Sequence, residues 1–318
     1  MRLKNNRPHL SPPLRGEETN EKILLSKNTL ISLKTKLMSE KETVRAPAVA
    51  GMFYEKSPVE LRKNIDEMLN RVRLPNIKGT VRAVVSPHAG YMYSGFTAAH
   101  VFKLLEGRKY DCVVAVGPSH REYFDGISIY SGDAYETPLG KVPIDHEVRS
   151  ELLYKENNII ASVAGHRAEH SLEVQLPFLQ YVLEKFSIVP IIMGDQQRQL
   201  CEQLSAALAR VMATKNILLV ASSDLSHFHT YDEAVILDNR VIQAVERFDS
   251  DVFIDELEKK SLEACGGGPI AVAMKTAQQL GANRVEVLHY CNSGDITGDT
   301  SGVVGYLAAA FMQVNDVK

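Results

Sequence analysis

Three short apolar runs in this chain are each followed by a polar segment that delivers a histidine. The runs span residues 81–85, 112–116 and 217–221, and the histidines are His88, His120 and His227. Short runs rich in Val, Ile and Ala are typical of parallel strands that are buried on both faces. In an open α/β sheet, ligands bind in the crevice beyond the carboxyl ends of such strands. The pattern therefore predicts an α/β fold in which three imidazoles meet, and it favours a metal site.

Strand-like and helix-like segments alternate after residue 45, which predicts one three-layer α/β/α domain over residues 46–318 with a mostly parallel mixed sheet. Ser57 and Pro58 are typical of a helix start. A helix over 94–106 would join strands 81–86 and 111–117 as a βαβ unit and make them parallel neighbours. Residues 126–144 are predicted to form an antiparallel excursion. Further helices are expected at 146–156, 171–184, 196–213, 231–247, 250–260 and 268–281, and further strands at 159–164, 186–193, 216–222, 284–291 and 302–311.

Residues 1–45 are predicted to be a disordered or peripheral basic extension. Residues 1–37 hold eight lysines and arginines, only three glutamates and three prolines, and they show no sustained apolar period. An export signal needs an apolar central region, which this segment lacks.

Composition narrows the class of protein. A net charge of −3 gives no reason to expect a nucleic-acid partner. No apolar run approaches the roughly 20 residues that span a bilayer, so no membrane partner is expected. The four cysteines lie far apart without a C-x-x-C pair, which favours a reduced cytoplasmic setting over a disulfide framework.

Asp224 follows the third apolar run and lies three residues before His227. If the segment begins a helical turn, both side chains lie on one face of it. Each could bind a metal, orient a ligand or transfer a proton, whereas a plain helix cap is the structural alternative for Asp224.

Glu169 and His170 belong to a segment with two histidines and two carboxylates around a predicted helix start. It is not the H-E-x-x-H zinc motif, because Arg167 follows His166. Glu169 and His170 are candidates for acid–base chemistry or for positioning other groups.

Cys265 precedes three glycines and Pro269, just before a predicted helix. A cysteine in that position is expected to have a lowered pKa, which would make its thiolate available for a metal or for redox chemistry. An incidental cysteine in a glycine turn is the alternative. No Lys-Ser/Thr follows the glycines, so a phosphate-binding P-loop is not expected.

Six motifs, in this order, resemble the Memo family, which includes the B component of bacterial and archaeal AmmeMemoRadiSam systems. They are APAVAGMFY (46–54), PHAGY (87–91), GPSH (117–120), EHSLE (169–173), SSDLSH (222–227) and CG (265–266). The resemblance implies a fold similar to the class III extradiol, LigB-type dioxygenases. It also implies a functional link to AMMECR-type and radical SAM proteins, and eukaryotic relatives are described as binding phosphotyrosine peptides in the same pocket.

The dioxygenases hold Fe(II) with two histidines and a carboxylate, whereas the Memo pattern places two histidines and a cysteine there. By this resemblance the metal ligands are His88, His120 and Cys265, and the metal is iron or copper, with zinc as a further option. The supporting or proton-transfer residues are then Asp224, His227, Glu169 and His170.

Three hypotheses follow. The first is a metal-dependent redox protein, related to the dioxygenases but with cysteine in place of the carboxylate. The second is a non-catalytic module that binds an anionic or phosphorylated peptide ligand in the same pocket. The third is an enzyme with Cys265 as nucleophile, His227 as base and Asp224 as orienting group. The sequence leaves open whether the ligand is a small molecule or a peptide.

Overall fold

The computed structural model describes residues 42–153 and 158–315. Residues from Thr43 onward belong to one compact unit. The extension predicted for residues 1–45 lies almost wholly outside the described residues, so the division after residue 45 stays a prediction. Among the helices in the described ranges, none combines the length and the apolar character needed to cross a bilayer.

The strands and helices follow the predicted alternation closely. The strands are β1 Val44–Arg45, β2 Thr80–Ser86, β3 Cys112–Pro118, β4 Ile127–Tyr130, β5 Ala134–Thr137, β6 Gly140–Pro143, β7 Ile159–Ser162, β8 Ser187–Met193, β9 Ile217–Ser222, β10 Asp224–His229, β11 Arg284–Asn292 and β12 Val303–Gln313. The α-helices are α1 Pro58–Arg71, α2 Phe96–Leu105, α3 His146–Leu153, α4 Leu176–Val182, α5 Arg198–Met212, α6 Tyr231–Arg247, α7 Ser250–Glu258, α8 Gly267–Gln279 and α9 Ser293–Thr297. A π-helical turn, Tyr91–Gly95, precedes α2, and a 3-10 turn, Glu173–Gln175, precedes α4.

The main sheet has nine strands, ordered β10-β12-β2-β9-β3-β8-β4-β7, with β11 also paired to β12. The central strands β2, β9, β3 and β8 are parallel, whereas β12 runs antiparallel to β2 and β4 runs antiparallel to β8. The mostly parallel mixed sheet is therefore confirmed. The prediction that β2 and β3 are neighbours is wrong, because β9 lies between them and pairs with both.

Helices cover both faces of this sheet and form two hydrophobic cores. Successive residues of β2 alternate between them, since Ala83 and Val85 pack with α5–α8 on one face and Val84 packs with α1, α2 and α4 on the other. This period of two is what a strand buried on both faces requires. The three-layer α/β/α arrangement is confirmed.

Two predictions made from short sequence patterns, a helix start at Ser57 and an antiparallel pair of strands, are also confirmed. Ser57 caps α1, and its side chain accepts a hydrogen bond from Glu60 N at 3.4 Å. Of the antiparallel excursion predicted for residues 126–144, β5 and β6 form an antiparallel pair, to which β1 adds as the third strand of a small sheet, whereas β4 belongs to the main sheet.

One buried ion pair ties β1 to the segment before α4. Arg45 contacts the Glu173 carboxylate, and both side chains are almost fully buried. The guanidinium also donates to the backbone oxygens of His166, at 2.8 Å, and of Glu169. Glu173 in turn accepts hydrogen bonds from Ala48 N, Val49 N and the Tyr54 hydroxyl. The pair therefore fixes residues 166–173 against the start of the domain.

We expect Glu173→Ala to lower the free energy of unfolding by about 3–5 kcal/mol, because it leaves the Arg45 guanidinium buried without a counter-charge. The matched control is Glu67→Ala, which removes an exposed partner 3.7 Å from Lys63 and should cost less than about 1 kcal/mol. Urea unfolding followed by circular dichroism measures both changes. Equal losses in the two variants would contradict the role given to the buried pair.

Candidate metal centre

The structure brings together one ligand atom each from His88, His120 and Cys265, all within 4.8 Å of one another. Cys265 Sγ lies 3.3 Å from His88 Nε2, and the two imidazole centroids are 5.0 Å apart with nearly perpendicular planes. His88 is only 2% exposed. The three donors come from distant parts of the sequence, so the cluster is a product of the fold.

Each donor has its position because a regular element ends or begins beside it. His88 follows β2, His120 follows β3, and Cys265 precedes α8. Gly266 makes the approach of Cys265 possible, because a Cβ at that position would lie 2.4 Å from Ser222 O at the end of β9. Any larger residue at 266 would push the cysteine away from the histidines.

Ser222, at the end of β9, fixes the protonation pattern of His88. Its hydroxyl donates its single proton to Ser171 O at 2.6 Å and accepts from Gln175 Nε2 at 2.8 Å. Ser222 can therefore only accept from His88 Nδ1, which lies 2.9 Å away. His88 Nε2 is left with a free lone pair that faces Cys265, as a metal ligand requires.

Glu169 orients the His120 ring and accepts a hydrogen bond from its Nδ1. Its carboxylate accepts hydrogen bonds from His120 N at 2.6 Å, His120 Nδ1 at 2.9 Å, and the backbone of His170 and Ser171 at 3.0 Å each. Burial alone would raise the pKa of Glu169, but these hydrogen bonds and the His120 ring hold it well below its ordinary range. A carboxylate can only accept, so His120 Nε2 also carries the lone pair.

Cys265 differs from the sequence-based expectation. Burial, together with the nearby Asp224 carboxylate, raises the pKa of its thiol instead of lowering it. The expected lowering is therefore wrong for the metal-free protein, because desolvation outweighs the helix N-terminus and the hydrogen bond from Asp224 N at 3.3 Å. A coordinated metal ion would reverse this, since a coordinating thiol is deprotonated.

Asp224 is the first residue of β10, separated from the end of β9 by one residue, and lies beside His88. Its Oδ1 accepts from His88 N at 2.8 Å, and its Oδ2 lies 4.0 Å from His88 Nε2. Burial raises the pKa of this carboxyl to about 7. The predicted helical turn is wrong, because Asp224 and His227 both lie in β10, which pairs with β12 at the edge of the sheet. The helix-cap alternative for Asp224 falls with it.

His170 and His227 line a cavity of about 470 Å³ next to the cluster, and Asp224 forms part of its wall. The His170 ring lies 4.8 Å from that of His120 and 5.4 Å from that of His88. Its Nδ1 has no hydrogen-bond partner among residues 42–153 and 158–315. Burial lowers the pKa of His170 to about 4 and also lowers that of His227. Both rings are therefore neutral at pH 7.

Comparisons with known proteins decide the family. The family described as Memo-like protein matches residues 45–310. A MEMO1 family protein of Sulfolobus acidocaldarius is 39% identical over 283 residues, which cover 84% of this chain and 99% of the relative. The chain belongs to the Memo family. A second member, from Aquifex aeolicus, is 41% identical over 271 residues and covers 85% of this chain and 99% of that protein.

The Memo-family match confirms the resemblance found in the sequence, and it extends over every donor of the candidate centre. The similarity in fold to LigB-type dioxygenases stays a prediction. A third relative, from Methanopyrus kandleri, is 38% identical over 278 residues, with 84% of this chain and 98% of the relative covered.

Several residues of this Memo-family site were missed at the sequence level. Ser222 and Gln175 set the His88 tautomer, and Arg45 anchors the segment that carries Glu169. Serine and glutamine are common in strands and turns, so no local pattern marks these two residues. Arg45 lies directly before the APAVAGMFY motif, but its partner Glu173 is 128 positions away.

We expect Ser222→Ala to weaken metal binding by about 10–100-fold, because His88 Nδ1 loses the acceptor that fixes its tautomer. The matched control is Ser86→Ala, since Ser86 pairs with Ser222 across the sheet and its buried hydroxyl has no partner among the described residues. Metal titration gives the affinities, and ¹⁵N NMR shifts of the metal-free imidazole give the tautomer. An unchanged His88 tautomer in Ser222→Ala would contradict this assignment.

Proposed function

We propose that this chain is a metal-dependent redox protein that holds iron or copper through His88, His120 and Cys265. The observation that carries the proposal is the preset orientation of the ligands. Both histidines have their Nδ1 atoms committed, to Ser222 and Glu169, which leaves both Nε2 atoms for a ligand. His88 Nε2 lies 3.3 Å from Cys265 Sγ, and the ligand atoms of all three residues lie within 4.8 Å of one another. A structural ion pair or a plain buried polar cluster would not need this matched arrangement.

The donor set fits such a metal. Two neutral imidazoles and a thiolate form a softer set than two histidines and a carboxylate, and they suit copper, iron or zinc more than magnesium or calcium. When bound, iron or copper supplies the ability to gain and lose an electron. The prediction of a dioxygenase-related oxidoreductase and of a functional link to AMMECR-type and radical SAM proteins belongs to this same proposal and rests on family resemblance.

The surrounding residues have distinct roles in this proposal. Glu169 acts as a positioning residue, because its carboxylate accepts hydrogen bonds from the His120 ring and from three backbone N–H groups. Its lowered pKa keeps it ionised. Asp224, with a pKa of about 7, can hold or release a proton at neutral pH beside His88. His170 and His227 are neutral and face the cavity, so either can accept a proton from a bound molecule.

The alternative with Cys265 as nucleophile is not favoured. Burial raises the pKa of the thiol, whereas a nucleophilic cysteine needs a lowered one. His227, the predicted base, donates from Nδ1 to Leu225 O at 2.8 Å, and the imidazole that contacts Cys265 Sγ is that of His88.

We expect untagged protein to contain stoichiometric iron or copper by ICP-MS, and His88→Ala/His120→Ala to have lost it, because the double variant removes two of three donors. His100→Ala/His289→Ala is the matched control, since it removes one buried and one partly buried histidine, whose rings stack 4.2 Å apart away from the three donors. Equal metal content in the wild type and the His88/His120 variant would overturn the proposal. Zinc as the sole bound metal would keep the metal centre but overturn the redox role.

Cys265→Ser should remove the thiolate-to-metal charge-transfer absorption of copper- or iron-loaded protein, because serine offers no sulfur donor. Cys291→Ser should leave the band in place, since Cys291 is also partly buried but contacts Thr97 Oγ1 at 3.1 Å, away from the three donors. Visible absorption spectra of the loaded proteins measure this. A band that persists in Cys265→Ser would exclude Cys265 as the ligand.

A further inference from the structure

The cavity beside the candidate metal centre has a polar floor and an apolar mouth. His170 and Asp224 lie at the floor, next to His88 and His120. Met52, Met92 and Phe228 also line it, and their exposed fractions are 72%, 70% and 78%. A single exposed apolar side chain is ordinary on a protein surface, but several of them around one cavity mark a binding surface.

Phe228 adds an independent observation. Its φ is +63°, in the left-handed region that non-glycine residues rarely adopt, and it lies between two histidines in β10. A left-handed backbone conformation is unfavourable for an aromatic residue. Burial of the ring does not offset that cost here, because Phe228 is exposed. Backbone strain at an exposed residue beside a cavity is typical of a site kept for binding.

The charges around the cavity exclude a basic anion site. Among the described residues that line it there is no lysine or arginine, but there are two carboxylates, Asp224 and Asp299. An adjoining cavity shares Met52, Phe53, Met92 and Tyr93 with it, and adds one arginine and two further carboxylates. That arginine, Arg71, lies over the Phe96 ring at 4.5 Å. Anionic groups are normally recognised by clusters of arginine or lysine, which this region does not offer.

Aromatic rings and thioethers with nearby carboxylates suit a different ligand. The rings of Phe53, Tyr93 and Phe228 offer faces for apolar groups and for cations, and the methionines adapt to irregular shapes. Asp299, at the exposed side, is kept ionised because hydrogen bonds from Ser301 lower its pKa.

We propose that this cavity binds the substrate of the metal centre and selects an organic molecule with an apolar, ring-sized body and a neutral or positively charged polar group, against anionic molecules. That the bound molecule is a substrate rests on the proposed function. The preference for its charge and shape rests only on the residues that line the cavity. A phosphorylated peptide is the ligand that it disfavours.

A series of probes with one benzene ring tests the charge preference. Benzyl alcohol, benzylamine, benzoate and phenyl phosphate are titrated into the full-length protein after a chelator has removed bound metal, so that the charge of a cation is not added to that of the lining, and binding is followed by ligand-observed NMR. The two anions should bind at least about tenfold more weakly than benzylamine, because they meet the ionised Asp299 carboxylate and no lysine or arginine among the described lining residues. Tight binding of phenyl phosphate or benzoate, or no binding of any probe, would overturn the inference.

The same series on His88→Ala/His120→Ala separates this inference from the proposed function. The order of the probes should persist in that variant, since the lining that sets it is intact. If the variant loses its metal and the probes keep the same order of affinity, both proposals are supported. If the variant keeps the metal content of the wild type and the order of affinity is unchanged, only the metal centre is overturned. An order that reverses in favour of the anions overturns the cavity inference.

Phe228→Gly tests the strained aromatic. Glycine adopts positive φ freely, so the melting temperature should stay equal or rise, while benzylamine and benzyl alcohol bind several-fold more weakly. The control is Ile236→Ala, which removes an apolar side chain that is 56% exposed on α6 and should change neither value. Unchanged binding in Phe228→Gly, or a large drop in its melting temperature, would show that the ring is not held there for a ligand.

Discussion

The buried contact between Arg45 and Glu173 is the interaction on which the candidate centre depends. It holds the backbone of residues 166–173 in place, and that segment supplies the Glu169 carboxylate to His120 and the Ser171 carbonyl to Ser222. Ser222 then sets the tautomer of His88. A charge pair taken out of water is weak evidence for stability, since its desolvation offsets much of its Coulomb energy. Its value here is geometric, because a single guanidinium orients several acceptors at once.

Desolvation explains most of the electrostatics of the site. The same burial that raises the pKa of Cys265 and Asp224 lowers that of His88, His170 and His227. Every one of these groups is thereby moved toward its neutral form. Glu169 is the exception, because four hydrogen bonds compensate its charge. A neutral, pre-oriented cluster with one adjoining anion is well suited to receive a cation.

Much of the fold could be predicted from the sequence, because short runs rich in Val, Ile and Ala, the Ser57 cap and the alternation of strand-like and helix-like segments are local signals. The placement of β9 between β2 and β3 could not be predicted. A βαβ pattern makes two strands parallel, but it does not show whether a strand from later in the chain lies between them. The histidines His88 and His120 still meet because strand ends at the same edge converge. The position of β10 as an edge strand paired with β12, which removes His227 from the strand-end position, depends on long-range pairing. The predicted lowering of the Cys265 pKa is wrong because a glycine-rich turn in the sequence does not reveal how deeply the thiol is buried.

The strand order has a consequence for how the protein is made. His88 and His120 are synthesised early, but the strand between them and the cysteine opposite them come from the last third of the chain. A ribosome-bound chain that ends after β3 therefore has the imidazoles of His88 and His120 but lacks the Cys265 thiol. Sheet pairings of such high sequence separation form slowly. We therefore expect the centre to assemble late in folding, so that an ion captured there meets a nearly complete domain instead of a nascent one.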